Sequence, residues 1–426
     1  MGEPSCERDK LPAPLSAPAQ SPALALCAEV PATSLLAGAA PTFYWSQQGV
    51  EAAFFGEAER REGGALGPLL RSLETGLRWV EPPPALPPGP WFGAIAFDGC
   101  AGPDWSGFAP VRFSLPRLLR WSQGGRSYAA VFGGPSRGAL EARLDEARRA
   151  LEFKAARAPQ RVRVLPGARA GWDALVARAL GSIARGELAK IVLARTVEAV
   201  SEEAIPVPRL LEELARRNPS CTTYLLRGDD GAAFLGATPE LFCRLEGRRI
   251  FADALAGSAP PGQGAALLAS RKDLREHQWV VDHLSKGLRP LCAALTVPAE
   301  PRVRALANVA HLHTAIEGTL REGVNLAEVI AALHPTPAVL GVPSPAARSF
   351  LSAHEGLSRG LYAGLVGLVG PGRAEFAVAL RCALVRGRSA QLFVGAGIVE
   401  GSTAAGEWDE TALKASALLD ALGAAP

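Results

Sequence analysis

The feature that most constrains this chain is a meander of short β-like runs in its middle. Residues 190–200, 222–226, 232–237, 241–246 and 249–252 carry strand patterns, and after the first two the gaps between them are only a few residues long. Parallel neighbours need a crossover of a dozen or more residues, so gaps this short join antiparallel strands. Strand patterns return at 364–369, 375–385 and 389–396, again as a meander. The pattern predicts an α+β fold on antiparallel sheets in preference to a doubly wound parallel one.

Before the meander, residues 42–55 read as two strands around a turn at Gln47–Gly49, and 91–97 and 126–132 read as further strands. Helical spacing marks 136–156, 172–185, 208–217, 271–294, 326–332 and about 406–422. Two Pro/Gly-rich breaks, 81–90 and 258–264, are too short and too apolar for flexible linkers. Residues 1–25, rich in Pro, Ala and Ser, are expected to form a disordered tail, and 26–426 a single domain.

Composition narrows the function. A net charge of +3 over 426 residues gives no electrostatic footprint for nucleic acid. The seven cysteines are scattered without CxxC spacing, which argues against a disulfide scaffold or a zinc site and fits a reducing cytoplasm. The N-terminus lacks the apolar core of a signal peptide, and no apolar run reaches the roughly 18–20 residues of a membrane span. The expectation is a soluble cytoplasmic protein.

Four places could carry chemistry. Lys190 leads into a strand apolar on both faces. It is either a strand-end lysine reaching water along its stem or a desolvated general base. Glu240 closes Gly236-Ala-Thr-Pro-Glu240 between two strands, where a solvated turn acid is the ordinary alternative to a catalytic one. Glu276 sits on a helix, where it could equally be part of a charged face. Finally, Gly395-Ala-Gly397 precedes a helix whose first turns hold Glu407 and Glu410, with Lys414 four residues beyond Glu410. No histidine has a His or Cys partner at ligand spacing, whereas a Mg2+ site built from carboxylates needs none.

In this order the motifs resemble those of the chorismate-binding enzymes, which include anthranilate, aminodeoxychorismate, isochorismate and salicylate synthases. The resemblance is dense from Trp172 onward. It runs through Lys190 to Arg195, Gly236 to Glu240, Ala254-Leu-Ala-Gly-Ser258, Arg275 to Asp282, Val309 to Thr314, Arg359 to Gly364, Phe376 to Arg381, Gly395 to Ile398 and Glu407-Trp-Asp-Glu-Thr411. It places the chorismate-binding core at about 165–426 and implies two large antiparallel sheets stacked as a sandwich with helices outside.

By matching positions the resemblance also implies roles. Glu276 and Glu410 would hold Mg2+, with Glu407 nearby. Arg381, Lys414, Tyr362 and the backbone at Gly395 and Gly397 would hold substrate carboxylates. His311 and Thr238 would line the pocket, and Ala256, Gly257 and Ser258 would pack on the ring. Family members that add ammonia typically carry glutamine where this chain has Lys190, and those that add water carry lysine. Lys190 would therefore activate water at C2 of chorismate while Glu240 protonates the hydroxyl leaving C4, giving isochorismate. A second implied activity, that of salicylate synthase, adds pyruvate elimination to the same steps. No amidotransferase subunit is expected, and a monomer is. Menaquinone and siderophore pathways both use such a product.

Overall fold

Two antiparallel sheets meet face to face, and the chain passes between them several times. The computed structural model describes residues 23–30, 35, 41–47, 49–63, 65–75, 77–80, 89–99, 102–149, 161–259, 262–305 and 309–424. Residues 1–22 of the tail expected at 1–25, most of the break at 81–90 and the helical pattern at 150–156 lie outside the described residues. Ala23–Ala25 open a strand, Ala23–Val30.

Among the described residues the larger sheet has thirteen strands and the smaller ten. In the larger, Lys190–Ser201 pairs with Ser389–Ile398, and Cys382–Arg386, Ala233–Thr238, Thr222–Arg227 and Phe43–Gln47 follow in order. In the smaller, Arg249–Ala259 lies between Ala310–Leu320 and Leu241–Glu246, followed by Arg373–Val378, Leu365–Gly370 and Trp91–Ile95. Among the described residues one strand pair, Ala23–Val30 with Leu77–Trp79, is parallel. Strands from the first 130 residues thus enter both sheets.

Alternating side chains on the inner faces form the main core. Phe43 of the larger sheet stacks on Phe92 of the smaller at 4.8 Å, and Phe54 meets the same ring edge-on at 5.1 Å. Trp105 packs against Phe234 and Phe393 at 5.2 and 5.3 Å. Helices Val207–Arg217 and Ala404–Leu422 cover the larger sheet's outer face through Leu210, Leu211, Leu214, Leu418 and Leu422. Helix Arg271–Leu288 packs on strand Arg249–Ala259 and buries Val280, Leu284 and Leu288. No helix among the described residues is long and apolar enough to cross a membrane.

Two expected elements differ. The pattern at 271–294 predicts one helix, but it ends at Leu288 and Cys292–Thr296 becomes an edge strand on Ala310–Leu320. Pro290 has no N–H to continue the hydrogen-bond ladder, which closes at Arg289, whose N–H still reaches the Ser285 carbonyl. The run 375–385 predicts one strand. It is two, Arg373–Val378 in the smaller sheet and Cys382–Arg386 in the larger, with Arg381 at φ 49° between them.

Candidate active site

The sheet change at 379–381 lies beside another at Pro239–Glu240, where Ala233–Thr238 gives way to Leu241–Glu246. The two crossings are bonded together: Val378 N–H donates to the Glu240 carbonyl at 3.1 Å, and Ala237 N–H to the Arg381 carbonyl at 3.2 Å. They form one wall of a cavity of about 300 Å3. Pockets for small ligands start near this size.

Lys190 and Val192 come from the strand opposite. Gly395 and Gly397 lie on the neighbouring strand, paired with Ala194 and Val192. Ala194 N–H goes to Glu355 and Val192 N–H to Leu340, so these are the non-hydrogen-bonded pairs of the ladder. Both glycines therefore turn N–H and C=O away from that strand. Space requires glycine here. A Cβ on Gly395 would lie 2.6 Å from Tyr362 Oη, and one on Gly397 would lie 2.8 Å from Glu276 Oε1 and 3.1 Å from Lys190 Cε.

Glu276 reaches in from helix Arg271–Leu288, which starts at a Ser270 cap accepting the Asp273 amide. The final helix contributes Glu407, Glu410 and Lys414, a spacing that puts all three on one face. Ala256, Gly257, Ser258, His311, Tyr362 and Arg381 complete the lining among the expected residues. Thr238 does not join them. It is fully buried, and its Oγ1 accepts the Glu240 amide at 3.3 Å, so it shapes the turn that presents Glu240.

Lys190 is 1% exposed and its Nζ lies 2.6 Å from Glu276 Oε1, so it does not reach out to water. Glu240 is buried without an ion pair among the described residues, and burial pushes its carboxyl up to about 8; Lys190 and Lys414 oppose this and Asp253 adds to it. Burial also opposes ionisation of Glu410, but Lys414 at 2.6 Å, then Lys272, outweigh it and hold it below the ordinary carboxylate range. Burial, with Glu410 adding, raises Glu407.

Lys414 also donates to the Gly395 carbonyl at 3.0 Å. His311 Nδ1 lies 2.9 Å from the Gly257 carbonyl and so carries the proton, which leaves Nε2 an acceptor with no protein partner. Burial, with Arg381 adding, lowers His311 to about 3, so it is neutral near pH 7. Burial also lowers Arg381, which stays a cation because guanidinium starts so high.

Three glutamates, Glu276, Glu407 and Glu410, thus offer oxygens to one cavity, the donor chemistry that suits a hard divalent cation. Among the described residues no three His, Cys, Asp or Glu side chains already stand in a metal-binding group. Lys190 holds Glu276 and Lys414 holds Glu410, so a cation would have to exchange with the lysines.

Sequence reading missed Lys272 at the cavity mouth and Asp253 beyond Pro239. Asp253 is held by Arg304 at 3.1 Å and His313 at 3.0 Å. Neither stands out among the many charged surface positions of the sequence.

Comparison with known proteins gives a consistent set of similarities. Residues 86–423 match the chorismate binding enzyme family. The chain is 37% identical to the isochorismate synthase EntC of Escherichia coli K12 over 261 residues, 59% of this chain and 67% of the relative. It is 38% identical to the salicylate biosynthesis isochorismate synthase of Pseudomonas aeruginosa over 262 residues, a match spanning 59% of this chain but only 55% of that relative's length. The solved structure of MenF, the menaquinone-specific isochorismate synthase of Escherichia coli, superposes with a TM-score of 0.79 at 27% identity, covering 94% of this chain and 95% of that one.

Proposed function

The chain belongs to the chorismate-binding enzyme family, and we propose that it is an isochorismate synthase: an isomerase that adds water at C2 of chorismate and expels the C4 hydroxyl as water. The observation that carries this reading is the pairing of a buried Lys190 with a buried, protonated Glu240 in one cavity. Water, unlike ammonia, needs a base to attack near neutral pH. Lys190 takes the proton of the incoming water as the C2–O bond forms. The ring double bonds shift, and Glu240 gives its proton to the hydroxyl as the C4–O bond breaks.

Charges at the rim suit a dicarboxylate. Arg381 presents a planar fork, Lys414 a point charge, and the N–H groups of Gly395 and Gly397 an open strand edge. Tyr362, raised by burial, stays a neutral hydroxyl and so a donor. Glu276 and Glu410, with Glu407 beside them, would hold Mg2+, which would supply positive charge to neutralise a substrate carboxylate. The reaction as written needs no amidotransferase subunit, and we assign it to a monomer.

Salicylate synthase, which would share Lys190, Glu240, Glu276 and Glu410, is the second reading. Product analysis separates the two: chorismate with Mg2+ should stop at a mixture of chorismate and isochorismate. Salicylate and pyruvate would move the protein to the lyase, and product only with added ammonia would overturn the role of Lys190. Lys190→Gln should lower turnover by about 10²–10⁴ while chorismate still binds.

A further inference from the structure

We infer that Arg195 is a positioning residue for the metal-binding face of the final helix. This rests on the reading of Glu407 and Glu410 as metal ligands. Arg195 lies five residues along the strand that begins with Lys190, outside the cavity lining. Its guanidinium carbon sits 3.8 Å from the centre of the Trp408 ring, and its Nε donates to Thr411 Oγ1 at 2.8 Å. Trp408 and Thr411 are the residues after Glu407 and Glu410. One guanidinium therefore grips the helix at the residue after each acid, about a quarter-turn round from it.

The grip is closed elsewhere as well. Thr411 Oγ1 passes its own proton to the Trp408 carbonyl at 2.7 Å, which leaves a lone pair to accept from Arg195. Arg169 lies 5.1 Å from the centre of the Trp408 ring, and Gly167 approaches so closely that a Cβ there would come 2.8 Å from Trp408 Cη2. Trp172 Nε1 donates to the Ala404 carbonyl at the helix start. Arg195 thus ties the first two turns to the strand that carries Lys190, while Arg169 and Trp172 tie them to helix Arg169–Ala184. The strand that presents the proton acceptor also holds the helix that presents Glu407 and Glu410. Groups bonded directly to metal ligands change affinity by about 10–100-fold when removed, and Arg195, which acts one residue away from each acid, falls at the lower end of that range.

Two substitutions test the assignment. Arg195→Met keeps the stem and removes both the stack and the donor. Thr411→Val keeps shape and removes only the acceptor, so it carries the test if Arg195→Met fails to fold. Mg2+ is titrated into the full chain by isothermal calorimetry, with melting temperature recorded alongside. Arg195→Met should weaken Mg2+ binding about tenfold or more, Thr411→Val in the same direction, and the double variant by less than the product of the two.

An unchanged affinity in the folded variants, with only a lower melting temperature, would overturn the positioning role. Tighter binding would too, because Arg195 would then act on the cation by charge repulsion alone. Glu410→Gln is the control for the underlying reading. If it leaves Mg2+ binding unchanged, the metal assignment itself fails; if it abolishes binding while Arg195→Met does not weaken it, only the positioning role fails.

Discussion

At the residue scale, Glu240 and Lys190 have opposite requirements that one cavity has to meet: a carboxylic acid that keeps its proton and an amine that can accept one. Burial meets the first, holding Glu240 protonated up to about pH 8. The sign of the pH dependence follows. Turnover of chorismate should fall as pH rises through about 8 because the acid is lost, and a rate still climbing at pH 9 would remove Glu240 from that role. Glu240→Gln should cut kcat by roughly 10²–10⁴ and change KM little, since the lost proton matters only as the C4–O bond breaks. Gly397 gives a second handle. Gly397→Ala places a methyl against Glu276 Oε1 and Lys190 Cε with no positive-φ strain to relieve. It should drive that pair apart and lower kcat at least tenfold, with melting temperature as the check that the fold survives.

At the scale of elements, the two crossings explain what the sequence made legible and what it hid. The strand patterns around them are periodic and local, so the meander, the final helix and the helix bearing Glu276 could all be read. Glu240 and Arg381 sit where the chain changes sheets, and a two-residue period contains nothing that says which sheet a strand joins. The run 375–385 therefore looked continuous, although Arg381 adopts φ 49° in its middle. Thr238 was misplaced for the same reason, since the turn rotates it behind Glu240. Asp253 and Lys272 acquire meaning only from what tertiary packing sets beside them.

One further joint belongs to this scale. Arg359 makes a two-point pair with Glu355, at 2.7 and 2.6 Å, and donates to the Val192 and Val339 carbonyls, while Glu355 accepts Ala194 N–H. It ties the segment after helix Ser344–His354 to the Lys190 strand. Both side chains are 3% exposed, so Arg359→Met would leave a buried carboxylate unpaired. That should cost about 3–5 kcal/mol in chemical denaturation. Adding Glu355→Gln should recover part of the loss.

At the scale of the whole molecule, stability against pH is set by buried groups, because a net charge of +3 leaves little overall repulsion. His277 and His334 are lowered to about 4 and His311 to about 3, in each case first by burial. The unfolded chain takes up these protons near pH 6.5 and the folded one does not, so their contribution is lost as pH falls from 6.5 toward 3–4. Glu375 works in the other direction. It is 5% exposed, its Oε1 has no partner among the described residues, and burial lifts it to about 7 against the pull of Arg244. Below pH 4.5 both states hold the proton and Glu375 costs nothing. Between 4.5 and 7 the unfolded chain ionises first, and folding loses roughly 3 kcal/mol in total, after which the loss levels off. Glu375→Gln removes that term while keeping size. The variant should match the parent or fall slightly below it at pH 4.5, then gain on it steadily and hold the advantage above pH 7. Urea denaturation of both proteins at four pH values measures this difference directly, and a constant offset across the range would mean that Glu375 ionises alike in the folded and unfolded chains.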